Sequence, residues 1–258
     1  MDRTELLLRA KRIGGIALVL LLAIVVVSAY ENKEAGEAEG QNIHIQPLEN
    51  GHFLVDTADV QAIIKSSFGY LLTERPIKWL DVDRAERVLE ADPFVEVADV
   101  FIDAKNWIHI EIQQREPLLR VIDNNGLNYY LDRQGNQMPL SAHFTAQVLV
   151  VTGSIPPYVE DFAEREGHLL NAIFDLGHLL SEDPLWNSMI EQVYVQDGQF
   201  KLIPKVGSQY IEFGPYTDVE DKLHRLEVFY QEGMPREGWN KYKSIDLRYE
   251  GQVVCVKR

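Results

Sequence analysis

The chain has 258 residues, of which 46% are hydrophobic and 25% are charged, and its formal net charge at pH 7 is −15. This length and apolar content predict one large or two modest domains with a real core, and they exclude a disordered or collagen-like chain. The single cysteine, Cys255, excludes an intramolecular disulfide framework and a thiolate zinc cluster. The acidic balance argues against nucleic-acid binding, because such binding depends on cations that displace counterions from phosphates.

The N-terminal segment has the pattern of a membrane anchor. Residues 13–30 form a run of 18 positions without a charge, and eleven of them are Leu, Ile or Val. As a helix this run rises about 27 Å, close to the hydrocarbon thickness of a bilayer. Basic residues precede the run and glutamates follow it, so residues 1–12 are predicted to be cytoplasmic and the remainder to lie outside. The residues expected within the anchor include Ile13, Leu20, Leu22 and Val27.

A cleaved signal peptide is the alternative interpretation of this segment. Val27-Ser28-Ala29 has the small-residue pattern of a cleavage site. The apolar run is longer than the usual hydrophobic region of about 7 to 15 residues, which favours a retained anchor. Both interpretations place the body of the protein in the same extracytoplasmic space.

A small domain is predicted after the anchor. Residues 31–41 contain no large apolar side chain and are typical of a tether. Apolar periodicity and turn signals then predict the order β-α-α-β-β, two helices on a three-stranded sheet. The predicted elements are a short strand that starts at 43–45, an apolar run at 53–55 after the turn signal Asn50-Gly51, a helix from the cap Thr57 to Gly69, a helix from the cap Asp81 to Asp92, and strands at 95–102 and 107–112.

A larger strand-rich domain is predicted from residue 116 onward, which makes the fold class α+β. Short apolar runs separated by turn signals indicate meandering strands, and two longer amphipathic runs indicate helices. The strands are predicted at 118–122, 127–131, 148–151, 193–196, 200–203, 210–213, 244–249 and 253–256, and the helices at 160–180 and 218–231.

The sequence shows no catalytic, cofactor or metal site. It has no nucleophile elbow, phosphate-binding loop or metalloprotease motif. Cys255 lies in an apolar strand pattern, which favours an inert thiol, and the seven histidines lack the spacing of metal ligands. We therefore predict that the protein is not an enzyme and has no small-molecule substrate. The acidic candidates are explained by helix ends and a turn; they are Glu160-Asp161, Glu182-Asp183, Glu220-Asp221 and Asp132-Arg133-Gln134-Gly135.

Six short strings, in this order and spacing, resemble the FtsQ/DivIB family of bacterial cell-division proteins. The first two look like the helix-to-strand passage and the exit of that family's POTRA module, and the others are similar to parts of its β-domain. The strings are Leu89–Val100, Ile110–Pro117, Tyr129–Gly135, Val148–Gly153, Ile211–Gly214 ahead of a helix that contains Lys222–Leu226, and the Asp-Leu-Arg-Tyr run in Ile245–Tyr249.

The resemblance implies a non-enzymatic scaffold of the divisome in the inner membrane at the division septum. It implies a single span, a cytoplasmic N-terminus and a periplasmic body. Such proteins gather FtsB and FtsL and link them to septal peptidoglycan synthesis. The implied organisation is a cytoplasmic tail at 1–12, a transmembrane helix at 13–30, a tether at 31–41, a POTRA-like domain at 42–115 and a β-domain at 116–258.

The partner contact is predicted on the terminal hairpin, Ser244–Val256. An edge strand can accept a partner strand, and the resemblance points to Arg248 and Tyr249, with Val253 and Val254 lining the added strand. In a strand Arg248 and Tyr249 point to opposite faces. Either Tyr249 packs inward and Arg248 meets an acidic group of the partner, or Tyr249 is itself an aromatic anchor. We expect a mixed outcome in which both residues contribute.

Two other classes of protein remain as alternatives. A POTRA-bearing chaperone for exported polypeptides would need several such modules or a following membrane barrel. The sequence shows one such module and no succession of lipid-facing strands. A membrane-anchored envelope hydrolase would need the catalytic residues that the sequence lacks.

Overall fold

The computed structural model of the protein describes residues 20–23 and 36–258. These residues fall into two units. The first unit contains the described residues up to Gln46 together with Val55–Gln114, and the second contains Pro47–Leu54 and Arg115–Arg258. The α+β class predicted from the sequence is confirmed.

The predicted membrane anchor at 13–30 lies outside the described residues, except for residues 20–23, which are helical. Within the part of the chain that the structure describes, no helix has the length and apolar character needed to cross a membrane.

The first unit has the predicted order β-α-α-β-β. Its sheet has the strand order β1-β3-β2, with β1 parallel and β2 antiparallel to β3. One face of this sheet packs on the two helices through residues such as Ile64, Leu89 and Ile110. The elements are β1 (Gly40–Gln46), α1 (Thr57–Phe68), short 3₁₀ turns at Leu72–Glu74 and Ile77–Trp79, α2 (Val82–Glu90), β2 (Val95–Ile102) and β3 (Trp107–Gln114).

The helix starts of the first unit follow from carboxylate caps. Asp81 begins α2 as predicted, and its Oδ1 accepts from the Arg84 N–H at 3.0 Å. For α1 the predicted cap, Thr57, was wrong by one residue. Asp56 caps α1 by accepting from the N–H groups of Ala58 and Asp59, and the Asp59 carboxylate accepts in return from the Asp56 N–H. This reciprocal capping box satisfies several backbone donors at once, which a threonine one residue later does not do.

The apolar run Phe53-Leu54-Val55, after the Asn50-Gly51 turn signal, does not form a strand. Pro47–Leu54 is an irregular segment of the second unit, and side chains far along the chain hold it there. Glu49 N–H donates to Glu116 Oε1 at 2.8 Å, and Ser141 Oγ donates to the Leu54 carbonyl at 2.6 Å. These hydrogen bonds satisfy backbone groups of the segment without pairing it to another strand. Their partners lie far along the chain, so the local sequence pattern does not indicate them.

The second unit is built on one nine-stranded sheet. Its strand order is β12-β11-β10-β9-β8-β7-β4-β5-β6. The strands are β4 (Pro117–Asp123), β5 (Asn128–Asp132), β6 (Gln137–Met138), β7 (Leu149–Gly153), β8 (Ile190–Gln196), β9 (Gln199–Pro204), β10 (Tyr210–Gly214), β11 (Tyr242–Asp246) and β12 (Val254–Lys257). The helices are α3 (Leu169–Glu182), α4 (Pro184–Met189), α5 (Val219–Val228) and α6 (Met234–Glu237), with a π turn at Phe229–Gly233 between the last two.

Helices of the second unit cover one face of this sheet and enclose its core. Leu170, Ile173 and Leu176 of α3 belong to the same buried cluster as Leu119 of β4. A side chain at Gly177 would place its Cβ 2.5 Å from Leu119 Cδ2, so any other residue there would have to displace the end of the Leu119 side chain.

The sequence predicted one helix over 160–180, but α3 begins only at Leu169. His168 caps it, since its Nδ1 accepts from the Leu170 N–H at 3.3 Å. The earlier residues form a short 3₁₀ turn, Phe162–Glu164. The helix start is therefore set by a side-chain cap that the apolar pattern does not show.

Candidate partner-binding edge

The strand β12 forms one edge of the nine-stranded sheet. It pairs antiparallel with β11, and β11 pairs parallel with β10 on its other side. Among residues 36–258 no strand pairs with the outer side of β12. The backbone of an edge strand offers N–H and C=O groups to a further strand.

The direction of these backbone groups follows from one hydrogen bond. Leu247 N–H donates to the Glu212 carbonyl of β10 at 2.9 Å. Because successive residues of a strand point in opposite directions, Ser244 and Asp246 turn their backbone groups toward β12.

Ser244 and Asp246 are opposite Val256 and Val254 in the β11–β12 register. The backbone groups of these two valines are therefore used in the ladder, and those of Cys255 and Lys257 point outward. This alternation identifies Cys255 and Lys257 as the positions whose N–H and C=O groups can bind an added strand.

The side chains of β12 alternate between solvent and core. Val254 is 37% exposed and Val256 51% exposed, whereas Val253 and Cys255 pack against the core of the unit. Of the two valines predicted to line an added strand, Val254 is therefore exposed, and Val253 is turned toward the core. Burial raises the pKa of the Cys255 thiol above its ordinary value. The thiol is therefore protonated at neutral pH, which agrees with the inert role predicted for it.

The sequence predicted that β11 runs to Tyr249, and this was wrong. The strand ends at Asp246, and Arg248 and Tyr249 lie in the loop that leads to β12. Leu247 is fully buried, whereas Tyr249 is 55% exposed. Of the two expected arrangements, the inward-facing Tyr249 is therefore excluded.

Arg248 has an ion-pair partner within the chain. Its Nε and Nη2 donate to the two carboxylate oxygens of Asp246 at 2.9 and 2.6 Å, and its backbone N–H also donates to that carboxylate. The guanidinium lowers the pKa of Asp246, and the carboxylate raises the pKa of Arg248. The half-exposed guanidinium keeps further N–H donors for an acceptor on a partner.

Gly214 at the end of β10 makes room for Arg248. Its φ of +81° favours glycine, and a Cβ at this position would lie 2.7 Å from Arg248 Cγ. A side chain at Gly214 would therefore displace the arginine.

Arg225 of α5 holds the loop between β11 and β12. Its guanidinium donates to the carbonyls of Leu247, Tyr249 and Gln252, while its Nε donates to Asp221 at 2.7 Å. Three loop carbonyls are thus fixed by one planar group. Sequence reasoning missed this residue, because its partners lie 22 to 27 positions further along the chain.

An open groove of about 490 Å³ lies beside this edge of the sheet. The loop before β12 forms one wall through Gly251 and Val253, and α5 with the following π turn forms the other through Val228 and Phe229. Val228 is an exposed apolar side chain, so the groove presents apolar surface beside Val253.

Three other candidates from the sequence have local structural roles. Asp132 is fully buried, pairs with Arg115 at 2.8 Å and accepts from N–H groups of its own turn. His178 bonds Glu182 and the Arg133 carbonyl. Asp161 pairs with Arg165, which lowers the pKa of its carboxyl. Each of these groups has a partner that accounts for its position.

Comparison with known proteins supports the resemblance of the short strings after residue 116 to the β-domain of the family. Residues 116–256 match the family model described as FtsQ/DivIB, C-terminal related. The chain belongs to the FtsQ/DivIB family. This finding confirms the resemblance inferred from the sequence.

A stretch of 174 residues is 28% identical to the cell division protein FtsQ of Rhodothermus marinus. The stretch covers 66% of this chain and 63% of that relative, so the similarity spans less than two thirds of the relative's length. In this FtsQ/DivIB chain the family match includes the loop with Arg248 and Tyr249 and most of β12.

Proposed function

We propose that this protein is a non-enzymatic, membrane-anchored cell-division scaffold that binds FtsB- and FtsL-type partners. The partner adds a strand to the outer side of β12, and the scaffold thereby links these partners to septal peptidoglycan synthesis. Membership of the FtsQ/DivIB family and similarity to a cell division protein support the cellular role.

The observation that carries the binding mode is the unpaired outer side of β12. Among the described residues 36–258, Cys255 and Lys257 have outward backbone groups and no neighbouring strand. An added strand would use these groups for main-chain hydrogen bonds, and the exposed Val254 and Val256 would supply apolar contact.

Arg248 and Tyr249 have separate roles in this proposal. Tyr249 is an exposed aromatic side chain in the loop that leads to β12, which suits an interface anchor. Arg248 already pairs with Asp246, so it is expected to share its remaining donors with a partner acceptor rather than supply an unpaired charge.

The test compares two substitutions of Cys255, of which only one removes the outward N–H group. Cys255→Pro removes the outward donor, whereas Cys255→Ala keeps it and shortens the same side chain. Proline is tolerated on an edge strand where its N–H would face solvent, so the β11–β12 ladder is expected to survive.

Binding of a purified FtsB/FtsL pair is measured by calorimetry, with folding checked by circular dichroism. We expect Cys255→Pro to weaken binding about tenfold or more, because one buried main-chain hydrogen bond is lost and the ring obstructs the added strand. Cys255→Ala is expected to bind as the wild type does. Equal affinity of a folded Cys255→Pro variant would contradict strand addition at β12.

A further inference from the structure

The first unit carries an exposed surface of aromatic rings and cations between α1 and α2. We call it the aromatic–basic surface. Trp79 is 68% exposed, the highest value among the large hydrophobic side chains that the structure describes. The members of the surface are Phe68, Tyr70, Arg75, Lys78, Trp79 and Arg84.

The cations of this surface lie against the rings. The Arg75 guanidinium carbon is 4.7 Å from the centre of the Tyr70 ring, and Lys78 Nζ is 5.4 Å from that of Trp79. Within the described chain neither Arg75 nor Lys78 forms an ion pair with a carboxylate. Their charges are therefore available to an external anion.

The local charge balance differs from that of the whole chain. Residues 65–84, which include every member of the surface, contain four Lys or Arg residues and three acids, whereas the chain has 25 Lys and Arg against 40 Asp and Glu. Two of the three acids accept from backbone N–H groups: Glu74 Oε2 from Leu71 at 3.1 Å and Asp81 Oδ1 from Arg84 at 3.0 Å. An anionic partner would therefore be repelled less here than by most of the remaining chain.

The same surface is joined to the segment that enters from the predicted membrane anchor. Ile77 N–H donates to the Gly36 carbonyl at 3.1 Å, and Glu37 forms a β-bridge with Pro76. Gly36 follows the end of the predicted anchor, Tyr30, by six residues. Six residues span at most about 20 Å, so the entry point of the first unit stays close to the bilayer.

We propose that the aromatic–basic surface rests on the headgroup layer of the membrane that holds the anchor. The inference depends on the proposed anchor and adds a second membrane contact to it. Tryptophan and tyrosine favour the membrane–water interface, and Lys or Arg beside them is attracted to anionic headgroups. The acidic charge elsewhere in the chain confines the contact to this surface.

The test uses the full chain in vesicles of phosphatidylcholine and phosphatidylglycerol with brominated acyl chains, which quench nearby tryptophan fluorescence. Trp79→Phe is compared with Trp107→Phe, which removes another exposed tryptophan of the same unit. We expect the wild type and Trp107→Phe to be quenched and Trp79→Phe to lose most of the quenching. The double variant Arg75→Glu, Lys78→Glu keeps Trp79 and is expected to lose quenching as well.

Carbonate extraction of the same vesicles measures the anchor separately. If the chain stays in the vesicles and Trp79→Phe is quenched as strongly as the wild type, the surface does not touch lipid and the proposal is wrong while the anchor stands. If Trp107→Phe alone loses the quenching, the contact lies at the β2–β3 end of the unit and the proposal is also wrong. If carbonate releases the chain, the anchor fails and this inference fails with it.

Discussion

At the scale of single residues, Gly214 controls the position of Arg248. We predict that Gly214→Ala lowers the free energy of unfolding by more than the strain of a positive φ, which costs about 1 to 2 kcal/mol. The excess arises because the new Cβ would lie 2.7 Å from Arg248 Cγ and separates the arginine from Asp246. Urea denaturation measures the total loss of stability, which includes the backbone strain and the displacement of Arg248.

Gly126→Ala is the matched control for this prediction. Gly126 has a similar φ of +89°, and no atom lies within 4 Å of a Cβ placed there. It therefore reports the backbone strain alone. Equal losses of stability in the two variants would contradict the proposed contact between residue 214 and Arg248.

At the scale of elements, α5 fixes the loop before β12 through Arg225. We predict that Arg225→Lys lowers the free energy of unfolding by about 2 kcal/mol, because an ammonium group cannot bond three separated carbonyls and Asp221 together. Limited proteolysis is expected to increase within residues 247–252.

Arg236→Lys is the control for the arginine chemistry itself. Arg236 pairs with Glu232 on the same helical surface, and its side chain is highly exposed. Such a surface pair contributes about 0.5 kcal/mol or less to stability. This variant is therefore expected to have the stability of the wild type and to be cleaved by protease at the same rate. A loss as large as that of Arg225→Lys would show that loop bonding is not the cause.

The elements also show how far the sequence determines the fold. Strands such as Val95–Ile102 and the caps Asp81 and Gly69 were predicted correctly, because alternation and capping are local signals. The prediction of where β11 ends was wrong. Leu247 is apolar and continues the alternation of the strand, but Arg225 donates to the carbonyls of Leu247 and Tyr249 and holds them in a loop. A bond between residues more than 20 positions apart leaves no local pattern.

The candidate site was also predicted only in part. The terminal hairpin and its residues Arg248 and Tyr249 were named from short strings, and the pairing of β11 with β12 is present. The sequence did not reveal that Arg248 is paired with Asp246, nor that Arg225, Gly214 and the groove support the edge. These features depend on which strands become neighbours, and β10 and β11 are separated by a helical segment.

At the scale of the whole molecule, the account predicts that division depends on binding and requires no chemical step. Single alanine substitutions of the former catalytic candidates are expected to support division in a depletion strain, as measured by cell length. The substitutions are Glu160→Ala, Asp161→Ala, His168→Ala, His178→Ala and Cys255→Ala.

His168→Ala is expected to cost about 1 kcal/mol of stability, because it removes the cap of α3. Cells that depend on this variant are still expected to divide. Filamentous cells with a normal amount of folded, partner-binding protein would reveal a chemical role for the substituted residue.

Pairing of a partner strand with the outer side of β12 is detected residue by residue by amide hydrogen exchange. Exchange is measured by NMR for each residue of β12, with and without the FtsB/FtsL pair. We predict that binding slows exchange at Cys255 and Lys257, whose N–H groups point outward, and changes Val254 and Val256 much less. Unchanged exchange at Cys255 and Lys257 in a saturated complex would contradict strand addition at this edge.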